Sequence, residues 1–201
     1  IPLCLVGSEM CIRDRSISSW AKLSAGWLGR SPDHIASSMV GQVMGLNVFE
    51  NHSPDRAKAL LDYFNWARDQ DHYMTYVIIN PQANRNKNIS EQKDEFLATA
   101  VVDEDSEGIT VRGGKMLGTG SIMANEILFA NIQPLMPGEE KYAISFAIPM
   151  NTKGLKIMSR KSYEETATST YDYPLSSRFD ENDALIYLSL IHISEPTRHR
   201  G

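Results

Sequence analysis

Thiols are nearly absent from this chain. Its 201 residues hold two cysteines, Cys4 and Cys11, so beyond residue 11 disulfides, cysteine nucleophiles and thiolate metal sites are excluded. Positive charge is also in deficit. Twenty Lys and Arg face 25 Asp and Glu, a net charge of −5, which argues against a nucleic-acid or anionic-membrane surface. No apolar run approaches the roughly 20 residues that span a bilayer. IPLCLVG, at the start, is too short for a membrane span. A soluble cytoplasmic protein of one or two packed units is therefore the expectation.

The two ends are expected to be foreign. Leu5–Arg15 (LVGSEMCIRDR) can be encoded by DNA whose reverse complement, in one frame, reads LSLIHISEPT, which is Leu188–Thr197. One oligonucleotide read on both strands accounts for both ends, as a sequencing adapter on each side of a fragment does, and such segments are kept out of fold reasoning. Residues 1–15 and 188–201 are set aside on that ground. The native stretch is then 16–187, cut on both sides, one charge unit more acidic, without cysteine, and with His34, His52 and His72 as its histidines.

Within that stretch the pattern changes near residue 72. Upstream, Ser31-Pro32-Asp33 and Ser53-Pro54-Asp55 repeat one helix start: a hydroxyl for the cap, a proline at the first helical position, an acid facing the dipole. Ala57, Leu60, Leu61, Phe64 and Ala67 then recur as one apolar stripe, and Ile35, Met39, Val43 and Met44 as another, with Gly41 and Gly45 marking close packing or a weak end. Trp20, Leu23 and Trp27 predict an earlier helix. Residues 16–72 thus read as helical. Downstream, Thr75–Ile79, Leu97–Val102, Ile109–Val111, Ile127–Ala130, Ala143–Ile148 and Leu155–Met158 read as short strands between Asn-Pro, Glu-Gly, Pro-Gly and Lys-Gly breaks. Six strands at that spacing predict a small antiparallel barrel or sandwich over 73–187, with Gln82–Lys93 as a long surface loop.

Four words stand out in order: GRSPDH at Gly29–His34, MTYVIINPQANR at Met74–Arg85, GGKMLGTG at Gly113–Gly120 and PLSSRFDEND at Pro174–Asp183. Together they resemble the oxygenase component of two-component, reduced-flavin phenol hydroxylases, the 4-hydroxyphenylacetate 3-monooxygenase family. Glu107–Lys115 also resembles the hairpin that precedes the flavin in the wider acyl-CoA dehydrogenase-like superfamily. The resemblance implies an α+β, acyl-CoA dehydrogenase-like fold: the end of an N-terminal helical domain, then a β-barrel or sandwich domain, with the C-terminal helical domain missing. The cofactor implied is reduced FAD supplied by a separate flavin reductase, with molecular oxygen as co-substrate. The substrate implied is a phenol hydroxylated beside its hydroxyl through a flavin hydroperoxide, and the full-length protein is expected to be a homo-oligomer. The chain as given is expected to be inactive, with an apolar face exposed.

The same resemblance assigns residues. Arg30 falls where the family's arginine orients the phenolic oxygen. His34 stands where the family has a tyrosine, and Tyr76 where it has a histidine, so the two ring types are exchanged. One imidazole and one phenol are still available as base and hydrogen-bond partner, and an imidazole suits that work near neutral pH. The exchange equally fits a different substrate, and His72 is a second histidine close by. For the cofactor, Gln82 matches the glutamine that contacts flavin, Asn80 offers an amide that donates and accepts in one plane, Thr119 matches a hydroxyl set against the isoalloxazine or its ribityl chain, and Arg85 meets flavin oxygens or solvent. No metal ligand set is seen. Two rivals stay open: a 4-hydroxybutyryl-CoA dehydratase-like lyase, disfavoured by the missing cluster cysteines, and a non-catalytic remnant of the fold.

Overall fold

The computed structural model describes residues 15–26, 34–178 and 182–194. Trp27, Arg30, the Ser31-Pro32-Asp33 start and Phe179–Glu181 lie outside them, as do the outer parts of both set-aside ends. Along the chain come α1 (residues 15–23), α2 (His34–Met44), α3 (Leu46–His52), α4 (Pro54–Asp69), β1 (Met74–Val77), β2 (Ala100–Glu104), β3 (Gly108–Lys115), β4 (Glu126–Phe129), β5 (Phe146–Pro149), β6 (Leu155–Ser159), α5 (Tyr163–Thr166) and β7 (Ala184–Ser194). Contacts divide these into two units. One contains residues 1–34 and 161–181, the other 35–160 and 182–201.

In the smaller unit, α1 ends where the Ser24 hydroxyl donates back to Trp20 O at 2.8 Å and Ala25 and Gly26 take positive φ. A second short helix, α5, is capped by the Ser162 hydroxyl, which accepts from Glu165 N.

The larger unit holds the sheets. Its longest helix starts as the sequence predicts: Ser53 Oγ accepts from Arg56 N, Pro54 is the first helical residue and Asp55 lies in the first turn. Gly45 does end α2, and a separate short helix, α3, follows it. The stripes of α2 and α4 meet β1, with Ile35, Met39, Ala67 and Met74 buried together and Leu60, Phe64, Tyr76 and Leu128 packed around them. At the start of β4, Tyr63 of α4 donates to the Glu126 carboxylate at 3.0 Å. Glu126 is buried, and that burial pushes its carboxyl up from the ordinary range, while burial and the facing Glu126 charge push the Tyr63 phenol up.

No closed antiparallel barrel forms among the described residues. The strands make two open sheets, β1-β4-β5 and β2-β3-β7-β6, and β1 pairs with β4 in parallel, Met74 opposite Glu126 and Val77 opposite Phe129. Parallel neighbours need a long crossover, and the segment between β1 and β4, which carries β2 and β3, supplies one. The register is pinned at its start: Tyr73 N donates to Asn125 Oδ1 at 2.9 Å and Asn125 N to Tyr73 O at 2.8 Å. Val77, Val111, Ile127, Phe129, Ile186 and Leu188 form the core of the strands, each such side chain contributing roughly 1.5–3 kcal/mol by leaving water.

Strand β7 has no counterpart in the six expected strands. It passes through the expected junction at Tyr187 and pairs with β3 on both sides of it, Lys115 opposite Ile186 and Val111 opposite Ile191. A sheet reads the alternation of apolar side chains, and Ile186, Leu188, Ile191 and Ile193 provide it. The register shift falls at Ser189 and Leu190, where Leu190 is left-handed (φ 53°), a conformation that L residues other than Gly, Asn and Asp seldom adopt.

Candidate functional site

Three of the quoted words run side by side along β1. Beyond β1, Ile79 bridges to Met116, whose N–H donates to Ile79 O at 2.8 Å. Beyond β3, Gly118 N donates to Ala184 O and Gly120 N to Asn182 O, at 2.9 and 3.0 Å. The GGKMLGTG segment is thus laced between Met74–Pro81 on one side and 182–184 on the other. Gly118 is closely approached: a Cβ there would lie 3.1 Å from Ile186 Cγ1 and 3.2 Å from Val77 Cγ1, so those side chains would have to give by a few tenths of an ångström. Glycine is required at Gly113, where φ is +114° and a Cβ would fall 2.1 Å from Ala98 O.

Thr119 sits at the centre of this lacing. Its carbonyl accepts from Thr75 Oγ1 at 2.6 Å, and its hydroxyl donates to Asp183 Oδ1. Beyond the other end of β1, Asn80 is buried with no hydrogen-bond partner for its Oδ1 among the described residues, and Ser121 Oγ, two residues after Thr119, is in the same state. A buried acceptor without a donor costs about 1–3 kcal/mol. Lys115, wholly buried, donates to Asn131 Oδ1 at 2.5 Å, and burial pulls its ammonium down to about 8. Asn131 in turn donates to Tyr142 O at 2.6 Å and Ile144 O at 3.1 Å. Leu117, Ile122 and Met123 are exposed.

Of the residues singled out from the sequence, Thr119 lies against Thr75 at the start of β1 and Asn80 lies beyond the end of β1, next to the Ile79–Met116 bridge. Tyr76 lies on β1 between Thr75 and Val77, half-buried, with its ring in the cluster that joins α2 and α4 to the sheet. His34 is the first residue of α2 and is exposed. Arg30 lies outside the described residues. Gln82 and Arg85 are exposed. Neither lines the groove of about 620 Å³ nearby, whose walls include Asn84, Lys87, Gln92, Phe96 and Arg112. That groove is largely self-satisfied: Arg112 stacks over Phe96 at 4.9 Å and donates to Tyr187 Oη at 3.2 Å. Among the described residues no cluster of three or more His, Cys, Asp or Glu is placed to hold a metal, and no helix is long and apolar enough to cross a membrane.

The sequence profile of the family described as 4-hydroxyphenylacetate 3-hydroxylase N terminal matches residues 8–193. The chain belongs to that family. It is 34% identical over 180 residues to the 4-hydroxyphenylacetate 3-monooxygenase oxygenase component of Geobacillus sp. (strain PA-9), covering 89% of this chain and 36% of that protein. It is 37% identical over 177 residues to the pyoverdin chromophore biosynthetic protein PvcC of Pseudomonas aeruginosa, covering 85% and 34%. Among solved structures, the oxygenase component of 4-hydroxyphenylacetate 3-monooxygenase complexed with FAD and 4-hydroxyphenylacetate superposes with a TM-score of 0.75 at 33% identity, over 88% of this chain and 36% of that one. The chain therefore spans about a third of the length of these relatives, and the α+β fold is the one they carry.

Three residues of this region make contacts that the sequence did not predict. Asp183 was in view inside PLSSRFDEND, yet no spacing rule ties it to Thr119, 64 positions earlier. Thr75 reads as an ordinary β-branched strand residue. Lys115 closes the hairpin that resembles the one before the flavin, and its burial is a property of the fold around it.

Proposed function

We propose that this chain forms the flavin-facing part of the oxygenase component of a two-component monooxygenase that hydroxylates a phenol beside its hydroxyl group. The observation that carries the reading is a buried acceptor, Asn80 Oδ1, left unmatched next to the point where Ile79 bridges to Met116 of the glycine-rich segment. The relatives' names and the FAD in the related oxygenase structure support it.

The residues present fit FAD. A buried amide oxygen without a donor suits an N–H of the flavin pyrimidine edge. Asn80, Thr119 and the exposed Gln82 and Arg85 are the residues we assign to holding it. Reduced FAD, delivered by a separate reductase, supplies the activation of molecular oxygen. The protein's part is to make the phenol electron-rich and to keep water out. Arg30 is assigned to orienting the phenolic oxygen as an anion, and His34 with Tyr76 to holding or removing its proton. Tyr76, set among Ile35, Met39, Met74 and Leu128, keeps its surroundings dry. A cytoplasmic location and homo-oligomeric assembly of the full-length protein belong to the same proposal. A tyrosine-derived phenol in biosynthesis suits it as well as a catabolic substrate, as the likeness to PvcC illustrates.

The test is anaerobic titration of the full-length protein with reduced FAD, followed by oxygen and a panel of phenols. Wild-type protein should bind stoichiometrically and release catechols, and Asn80→Ala should weaken flavin binding by about tenfold, one hydrogen bond's worth. Failure of the wild type to bind either flavin form would sink the reading.

A further inference from the structure

A threonine hydroxyl has one proton and two lone pairs, so the group that takes the proton decides what the hydroxyl offers to anything else. Here Thr119 Oγ1 donates to Oδ1 of Asp183. An ionised carboxylate can only accept, and a hydrogen bond to it is roughly twice as strong as one between neutral groups. The residue is also fixed by its backbone: Thr75 holds its carbonyl, and Gly118 and Gly120 are tied to the segment that carries Asp183. Asp183 is anchored in its turn, its main-chain oxygen accepting from Arg160 N at 2.9 Å. Thr119 is half-buried, and with its proton committed to Asp183 its lone pairs are what the hydroxyl has left to offer.

This matters for a flavin because two-electron reduction adds a hydrogen to a central ring nitrogen that in the oxidised ring only accepts. A fixed acceptor in the site meets a donor in one redox state and another acceptor in the other. We propose that Asp183 is a positioning residue that locks Thr119 as a hydrogen-bond acceptor and so biases the site toward reduced over oxidised flavin. The inference rests on the flavin reading above. It assigns to Asp183 no direct contact with flavin or substrate.

The experiment measures dissociation constants for oxidised FAD and, anaerobically, for dithionite-reduced FAD, on full-length wild type, Asp183→Asn, Thr119→Val and Thr119→Ser, with circular dichroism to confirm the fold. In Asp183→Asn the side-chain amide can donate to Thr119 and release the threonine proton toward the ligand. The preference for reduced FAD should fall by about tenfold in Asp183→Asn and in Thr119→Val, and should survive in Thr119→Ser, which keeps the hydroxyl. A merely structural role would weaken both flavin forms alike. An unchanged preference in Asp183→Asn overturns the proposal even if both affinities drop. Wild-type protein that binds neither form is a different failure, that of the flavin reading itself.

Discussion

Two irregular segments of the larger unit, the 84–92 loop and the 113–121 segment, are built on opposite principles. The loop is polar, long and exposed, yet it is finished. Gln92 Nε2 donates to the carbonyls of Asn84, Lys87 and Asn88 at 2.9, 3.1 and 3.3 Å, and its Oε1 accepts from Asn84 N at 3.2 Å. Asn88 and Glu91 form a reciprocal capping box. The buried Glu139 carboxylate accepts from Ser90 N, Ser90 Oγ and Met136 N, and the bond from Met136 N, the largest influence, holds its carboxyl below the ordinary range. The glycine-rich segment is short and sparing in polar groups, but it is unfinished. It ends on a buried Ser121 Oγ without a partner, bridges through Met116 to Ile79, the residue before the unmatched Asn80, and leaves Leu117, left-handed at φ 65°, and Ile122 exposed beside it. Length and polarity would have pointed to the loop as the functional element. The state of the hydrogen bonds points to the other segment, because a site that awaits a ligand must leave some of its polar atoms for that ligand.

The contrast can be tested on both sides. The largest effect is expected from Gly113→Ala, which forces a Cβ onto Ala98 O at a backbone angle that only glycine tolerates. It should cost about 4 kcal/mol or more, read by chemical denaturation, and a near-neutral result would show that the glycine-rich segment is loosely held. Next comes Lys115. Its ammonium titrates near 8 when folded and near 10.5 when unfolded, so between those pH values the unfolded chain binds the extra proton and stability rises with pH. The penalty, about 3 kcal/mol by the size of the shift, is fully present below pH 8 and gone above 10.5. Denaturation midpoints at pH 7.5 and 10.5 should therefore converge in Lys115→Met relative to wild type; parallel pH curves for the two proteins would remove this account of the buried amine. The smallest effect is on the loop side. Glu139→Ala should cost about 2 kcal/mol and open 84–92 to proteolysis while leaving flavin affinity within about twofold. A large loss of flavin binding there would mean that the loop belongs to the site after all.

Much of the architecture was legible from local rules. Ser53-Pro54-Asp55 announced α4 because a cap needs nothing beyond its own first turn, and the apolar stripes of α2 and α4 named Ile35, Met39 and Ala67 as buried. Strand positions were legible to within a few residues, but their pairing was not. The parallel match of β1 to β4 depends on where the long crossover between them packs. Strand β7 escaped notice for a different reason: alternation alone makes LSLIHIS fit a sheet edge, whatever the origin of its codons, and only the neighbouring β3 decides that it is used.

The sequence by itself determined the longer helices, six of the seven strands and the words that place the chain in its family, because these are set by dihedral preference and side-chain period over a few residues. Which atoms are satisfied was decided only by the tertiary structure. That Asn80 keeps an acceptor in reserve, that Lys115 is stripped of water, and that the proton of Thr119 belongs to Asp183 all depend on groups far apart in the chain being brought within hydrogen-bond reach.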